Sequence, residues 1–240
     1  MQAEKPQDRA KYAAGRKAIE TYLHDGMQIG LGSGTTSHWF VRALGEKVRN
    51  EGFKVAGVPT STATRDLAIE VGVPLLDLND VDELELTIDG ADEIDHQGRM
   101  IKGGGACLLW EKMVARASRR MIAVVDDGKV FDTLGKFPLP IEVIRFGWRS
   151  TERQLRKLYA EFGYHDLRID LRGGEARPVI TDSGHYILDC HLERITDPDR
   201  LAPRFNEIPG VVEHGLFVGI ADEMVIGHAD GSGEVIKLRD

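Results

Sequence analysis

Apolar residues recur at helical spacing over residues 9–23, where Ala14, Ala18, Ile19, Tyr22 and Leu23 share a face. His24-Asp25-Gly26 breaks the run, and Met27 to Leu31 follows as a short strand. Gly32-Ser33-Gly34-Thr35-Thr36 then opens a second helix with Trp39, Phe40, Ala43 and Leu44 on its apolar side. A strand over 53–58, a helix over 64–71 and strands over 73–76 and 84–88 come next, and Met121 to Val125 adds another strand. Short apolar strands alternating with helices predict an α/β, Rossmann-like, mostly parallel sheet with helical crossovers.

The pattern changes near Gly135, where Pro138 and Pro140 mark a junction. Beyond it the expected order is strand 141–144, helix 151–162, strands 166–171 and 186–191, helix 198–208 and strand 211–217. That βαββαβ order predicts a second, smaller ferredoxin-like α+β domain. Ala221 to His228 reads as one more strand, returning to the first domain. The expected division is 1–134 plus 218–240 for the Rossmann-like domain and 135–217 for the small one. No internal repeat is visible.

Composition narrows the function classes. A chain of 240 residues buries roughly 70–75% of its unfolded surface and needs no staples. Its net charge of −8 argues against a nucleic-acid partner, because phosphate backbones call for a basic patch. Cys107 and Cys190 lack CxxC spacing and read as free thiols in a reduced compartment. The first fifteen residues hold no apolar core before a cleavage site, and no apolar run approaches the ~20 residues of a membrane span. A cytoplasmic protein without a membrane partner is expected.

Chemistry concentrates between Asp89 and Lys112. The strand 84–88 alternates apolar and polar residues and delivers Asp89 to its C-terminal edge, where ligands bind in open α/β sheets. Asp92 follows in a Gly-containing turn, and two neighbouring carboxylates resist simultaneous ionisation. Three roles are open to these acids: contact with a polar substrate, capping of turns, or metal binding. The last is disfavoured by eight scattered histidines and the absence of an EF-hand pattern; His185 and His191, which share a strand face, read as structural. Lys102 and Gly103-Gly104-Gly105 supply a cation and exposed backbone N–H donors for negative charge on oxygen. Glu111 lies among Cys107, Leu108, Val114 and Ala115 at helical spacing, whereas Lys112, Arg116 and Arg120 form a stripe expected to be solvated. Burial should raise the pKa of Glu111 toward that of a general base; the alternative, a buried ion pair with Lys102 or another lysine, is less well supported because the glycine amides and Lys102 belong to one loop.

The turn at 30–36 lies between a strand and a helix, with hydroxyls at Ser33, Thr35 and Thr36. No GK[ST] follows, and no acid stands about 20 residues on to hold a ribose, so Walker A and dinucleotide readings both fail. A cradle for a simple phosphate at a helix N-terminus remains, beside a turn that serves geometry alone.

GLGSGTT at 30–36, DGADEID at 89–95 and KGGGACLLWEK at 102–112 together resemble ribose-5-phosphate isomerase of the A type. LGKFPLPIEV at 134–143 and IPGVVEHGLF at 208–217 extend the resemblance over nearly the whole chain. It implies aldose–ketose isomerisation of ribose 5-phosphate and ribulose 5-phosphate through an enediolate, with no cofactor and no metal, in the pentose phosphate pathway. Glu111 is implied as catalytic base, with Asp89, Asp92 and Lys102 assisting. Implied substrate contacts are Ser33, Gly34, Thr35, Thr36, Asp89, Gly90, Ala91, Asp92, Lys102, Gly103, Gly104, Gly105 and Lys129. Ser33 stands where relatives often have threonine, Trp110 where an arginine or other polar residue is common, and Lys11 near the position of a further lysine. A homodimer or homotetramer is also implied. A CoA transferase with a glutamate nucleophile and a phosphosugar sensor are the competing classes; a sensor would need a DNA-binding module, and only some eight residues precede the first helix.

Overall fold

The computed structural model describes residues 5–239, so the start of the N-terminal stretch read above, residues 1–4, lies outside the described residues. The first half runs α1 (Pro6–Tyr22), β1 (Met27–Leu31), α2 (Gly34–Glu51), β2 (Val55–Pro59), α3 (Thr62–Val71) and β3 (Leu86–Asp89). The short strands β4 (Glu93–Ile94) and β5 (Met100–Ile101) precede α4 (Leu108–Arg116) and β6 (Met121–Asp126). Then come β7 (Leu139–Val143), α5 (Trp148–Glu161), β8 (Ile169–Leu171), β9 (Tyr186–Cys190), α6 (Pro198–Phe205) and β10 (Val211–His214). The chain finishes with β11 (Leu216–Phe217), β12 (Glu223–Gly227) and β13 (Gly233–Lys237).

The main sheet has the order β13-β12-β6-β3-β1-β2, with every neighbouring pair parallel except β12 with β13. Its inner strands β3 and β6 are buried along their whole length, as expected of parallel strands covered on both faces. Ile29, Leu31, Ile88, Ile122 and Val124 pack against Ala14 and Ala18 of α1 and Phe40 and Leu44 of α2. Helix α1 lies so close to β12 that a Cβ on Gly227 would stand 1.9 Å from Ala10 O. The 221–228 segment thus returns to the first sheet, beside β6.

The second sheet, β10-β7-β9-β8, is antiparallel throughout. Its order is that of a ferredoxin-like module, with two crossover helices on one face. Leu155, Leu158 and Tyr159 of α5 and Leu201 and Phe205 of α6 share a core with Leu139, Ile141, Val143 and Leu188.

Three segments depart from the pattern. Residues 73–76 form no strand: Pro74 has no N–H to extend a ladder, and only an isolated bridge joins Leu75 to Gly57. The single strand expected over 211–217 is two, because the chain changes sheets at Gly215. There Gly215 N donates to Pro140 O while its carbonyl accepts from Lys102 N, and an added Cβ would meet Lys102 O at 2.3 Å. β11 accordingly pairs with β5 in a small three-stranded sheet with β4. That β4–β5 hairpin and the edge strand β13 are too short or too polar to register in the apolar pattern. The helix expected over 198–208 stops at Phe205.

Candidate active site

Three loops meet at the C-terminal edge of the main sheet. Strand β1 leads into Gly32-Ser33, β3 ends at Asp89, and β5 leads into Lys102 and the glycine turn before α4. They form an open cleft lined by Ser33 to Thr36, Gly90 to Asp92, Lys102 to Gly105, Glu111 and Lys129. Of the sequence-derived site residues, only Asp89 is absent from that wall. It is fully buried immediately behind it, reaching the cleft through its neighbours. Lys11 is buried on α1 and does not line the cleft.

Asp89 is the organising acid. Its Oδ1 accepts hydrogen bonds from Ser33 N at 2.9 Å, Ser37 Oγ at 3.0 Å and Gly90 N at 2.7 Å. Its Oδ2 stands 3.1 Å from Lys102 Nζ. This packing requires glycine at 32, where a Cβ would lie 2.2 Å from Asp89 Oδ1. Asp92 lines the cleft and accepts from Gly104 N at 2.7 Å. The remaining acids of the loop are structural. Glu93 accepts from Gly135 N and Phe137 N, fixing the proline-rich junction, and Asp95 accepts from Gln97 N and Arg99 N in the β4–β5 turn.

Lys102 and Glu111 are respectively 2% and 5% exposed, and Lys102 Nζ lies 3.0 Å from Glu111 Oε1. Lys102 also donates to Gly90 O. Glu111 Oε2 is buried without a hydrogen-bond partner among the described residues. Burial pushes the Glu111 carboxyl up, Lys102 opposes the rise and Asp89 adds to it, and the balance carries it to about 8. For Lys102, burial disfavours the ammonium, but Asp89 and Glu111 outweigh it and raise its pKa. Helix α4 enters this cluster through Ala106, whose φ of +59° is a left-handed conformation that costs an alanine about 1–2 kcal/mol.

The turn expected from the sequence to cradle a phosphate has a particular geometry. Ser33 Oγ bonds Thr60 Oγ1 at 2.7 Å, Ser61 Oγ at 2.7 Å and Thr64 Oγ1 at 3.0 Å, turning its hydroxyl away from the cleft into a buried cluster. No side chain caps α2, which leaves its first-turn N–H groups facing the wall formed by Gly34, Thr35 and Thr36, with Lys129 completing it.

The chain as a whole is similar to known proteins. The family model for ribose 5-phosphate isomerase A (phosphoriboisomerase A) matches residues 56–231. A ribose-5-phosphate isomerase A 2 of Yersinia pseudotuberculosis is 52% identical over 95% of this chain and 97% of its own length. One from Jannaschia sp. is 52% identical over 98% of this chain and 89% of its own. The chain belongs to the ribose 5-phosphate isomerase A family. Solved ribose 5-phosphate isomerases share its fold. The Plasmodium falciparum enzyme superposes with a TM-score of 0.89 at 32% identity, covering 96% of this chain and 98% of the other. A D-ribose-5-phosphate isomerase in complex with phospho-erythronic acid gives 0.87 at 36% identity, covering 99% and 100%.

Within this isomerase the stripe expected to be solvated needs correction. Arg116 and Arg120 are exposed, but the Lys112 side chain is only 12% exposed. Its Nζ donates to Glu213 Oε1 at 2.7 Å, His214 O at 2.7 Å and Leu216 O at 3.1 Å, and lies 4.7 Å from the Phe217 ring centroid. Burial pushes this ammonium down to about 8 against the pull of Glu213. The β10–β11 crossing covers that side of α4, and a helical wheel cannot anticipate it. His185 and His191 pair with Glu142 and Asp170 in the second sheet.

Two contacts from the ferredoxin-like module reach the site without any signal in the sequence. Arg172 Nη1 donates to Gly103 O and Gly104 O. Trp110 Nε1 donates to Ser183 Oγ at 2.9 Å, giving the indole next to Glu111 a partner across the modules. No helix of the described residues is long and apolar enough to cross a membrane.

Proposed function

We propose that the enzyme interconverts D-ribose 5-phosphate and D-ribulose 5-phosphate through an enediolate, with Glu111 as the general base. The observation carrying this reading is a nearly sealed carboxylate on the cleft wall, with one oxygen on Lys102 and the other without a partner among the described residues. Lys102 holds the carboxylate without occupying both oxygens, and burial gives it a pKa near the working pH, where a base is most effective.

Glu111 takes the proton from C2 of the open-chain aldose as electrons pass toward O1, then returns it to C1. The O2 proton moves to O1, so the reaction is balanced without a redox partner. Lys102 supports the growing charge, with backbone N–H groups of the glycine turn as further donors. The Gly104 N–H is already engaged by Asp92, whereas those of Gly103 and Gly105 have no partner among the described residues. Asp92 moves the proton between oxygens, and Asp89 fixes Lys102 and the Ser33 backbone N–H. The phosphate sits on the uncapped N-terminus of α2 with Lys129 nearby. The chemistry needs no metal.

The reaction belongs to the non-oxidative pentose phosphate pathway. We place it in the cytoplasm and expect a homodimer or homotetramer, divided into 1–134 plus 218–240 and an inserted 135–217.

The test is conversion of ribose 5-phosphate with EDTA present, for wild type beside Glu111→Gln. Turnover that survives chelation and falls about 10²–10⁴-fold in the folded variant is the expected outcome. Near-normal kcat in Glu111→Gln rejects the base assignment, and loss of wild-type activity in EDTA rejects the metal-free route.

A further inference from the structure

Arg172 follows β8 in the ferredoxin-like module, yet its guanidinium ends on the glycine turn of the catalytic cleft. Nη1 donates to Gly103 O at 2.7 Å and to Gly104 O at 3.1 Å. Nε and Nη2 donate to Asp189 Oδ2 and Oδ1 at 2.9 and 2.5 Å, a bidentate fork that fixes the plane and direction of the guanidinium. The arginine therefore arrives pre-oriented by its own module.

The turn it grips has unusual freedom. Three successive glycines lack the Cβ atoms that bias backbone rotation, so a peptide unit among them can rotate at little cost unless it is held. All peptide bonds here are trans, and in a trans unit the N–H points opposite to the C=O. The Gly103–Gly104 unit is held at both ends, its carbonyl by Arg172 and by Ala106 N at 3.0 Å, and its N–H by Asp92 Oδ2. The Gly104–Gly105 unit is held by side chains only at the Gly104 carbonyl, by Arg172. Its N–H, on Gly105, has no partner among the described residues, and Gly105 lines the cleft.

We propose that Arg172 is a positioning residue for isomerisation: by holding the Gly103 and Gly104 carbonyls it aims the Gly105 N–H into the cleft, as a donor to the oxygen on which charge develops. This rests on the enediolate reading above. It assigns the ferredoxin-like module a share in catalysis through one side chain. A mere tie between modules would act differently: its loss would lower thermal stability and leave each folded molecule turning over normally. A misdirected donor acts in the transition state and lowers kcat with KM little changed.

The experiment compares kcat, KM and thermal midpoint of the full-length wild type, Arg172→Ala, Arg172→Lys and Glu111→Gln. Arg172→Ala should lose kcat about 10- to 100-fold, the scale of an ångström-sized misplacement at a reacting centre, with KM nearly preserved. Arg172→Lys recovers part of the loss, because an ammonium reaches a carbonyl but cannot form the Asp189 fork. Asp189→Asn leaves Arg172 in place but loosens it, and should show a smaller kcat-selective loss even if Arg172→Ala fails to fold. Wild-type kcat per folded molecule in Arg172→Ala or, where that variant does not fold, in Asp189→Asn overturns the positioning role. If that occurs while Glu111→Gln is inactive, the enediolate reading stands alone. If Glu111→Gln is itself active, that reading fails separately.

Discussion

Lys102 Nζ stands 3.0 Å from Glu111 Oε1, with both side chains almost sealed from solvent. The same ammonium lies 3.1 Å from Asp89 Oδ2, so one cation serves two carboxylates. With both acids ionised the cluster carries a net negative charge in a poorly hydrated place. The ion pair and the proposed base are therefore one arrangement: the lysine keeps Glu111 in position but cannot fully offset its burial.

Removing that cation has a defined consequence. In Lys102→Met, Asp89 and Glu111 lose their shared partner, and breaking such a buried pair costs roughly 3–5 kcal/mol when the acids are ionised. Denaturant melts should show the larger loss at pH 9 and a smaller one at pH 6, where Glu111 takes up a proton. Turnover should fall at both.

The raised pKa of Glu111 predicts the acidic limb of activity. A base with a pKa near 8 is mostly protonated below neutrality, so kcat/KM of wild type should rise with pH through about 8. A limb centred near 4.5, the ordinary value for glutamate, would contradict the assignment.

Stability moves in the opposite direction. Because the folded state raises this pKa from 4.5 to about 8, it binds the proton more tightly than the unfolded chain does. The contribution of Glu111 is complete below 4.5 and is lost as pH rises to about 8. The raised pKa of Lys102 acts only at higher pH, as that group begins to titrate. Between pH 5 and 9, thermal midpoints of wild type should therefore fall more than those of Glu111→Gln.

Gly32→Ala tests the packing beneath the cleft. The new Cβ would meet both the Asp89 carboxylate and, at 2.5 Å, the Asp89 Cα, so backbone as well as side chain must move. Overpacking of this kind costs about 1–3 kcal/mol. Activity should drop even at temperatures where calorimetry finds the variant folded, because Asp89 also fixes Lys102.

Lys112→Met should do the reverse. It removes the donor for Glu213, His214 O and Leu216 O, which lie outside the cleft. Stability should fall by about 1–3 kcal/mol for the polar groups left unpaired, with kcat of the folded variant close to wild type.

Much of this molecule was legible in the order of its residues. The alternation of short apolar strands and helices anticipated the parallel sheet, and βαββαβ anticipated the antiparallel module, because both follow from local periodicity. The residues drawn from the three glycine-rich and acidic motifs converge on one cleft, since each motif sits at the C-terminal end of a strand or in the turn that follows. What stayed hidden depends on contacts between distant segments. Lys112 reads as solvated until the chain crosses over it at Gly215, and the Ser33 hydroxyl reads as a ligand until Thr60, Ser61 and Thr64 surround it. Arg172 gives no sign of belonging to a site built on other strands.

The return of β12 to the edge of β6 bears on how this chain folds. Those strands pair in parallel over five residues, but the whole ferredoxin-like module intervenes between them. Closing so long a loop as free chain carries an entropic penalty that the pairing repays only late. If the insert collapses first, its ends are brought near each other and the effective loop becomes short. The main sheet should then acquire β12 and β13 after the small module has formed, and α1 should find its final seat last, because part of that seat is β12.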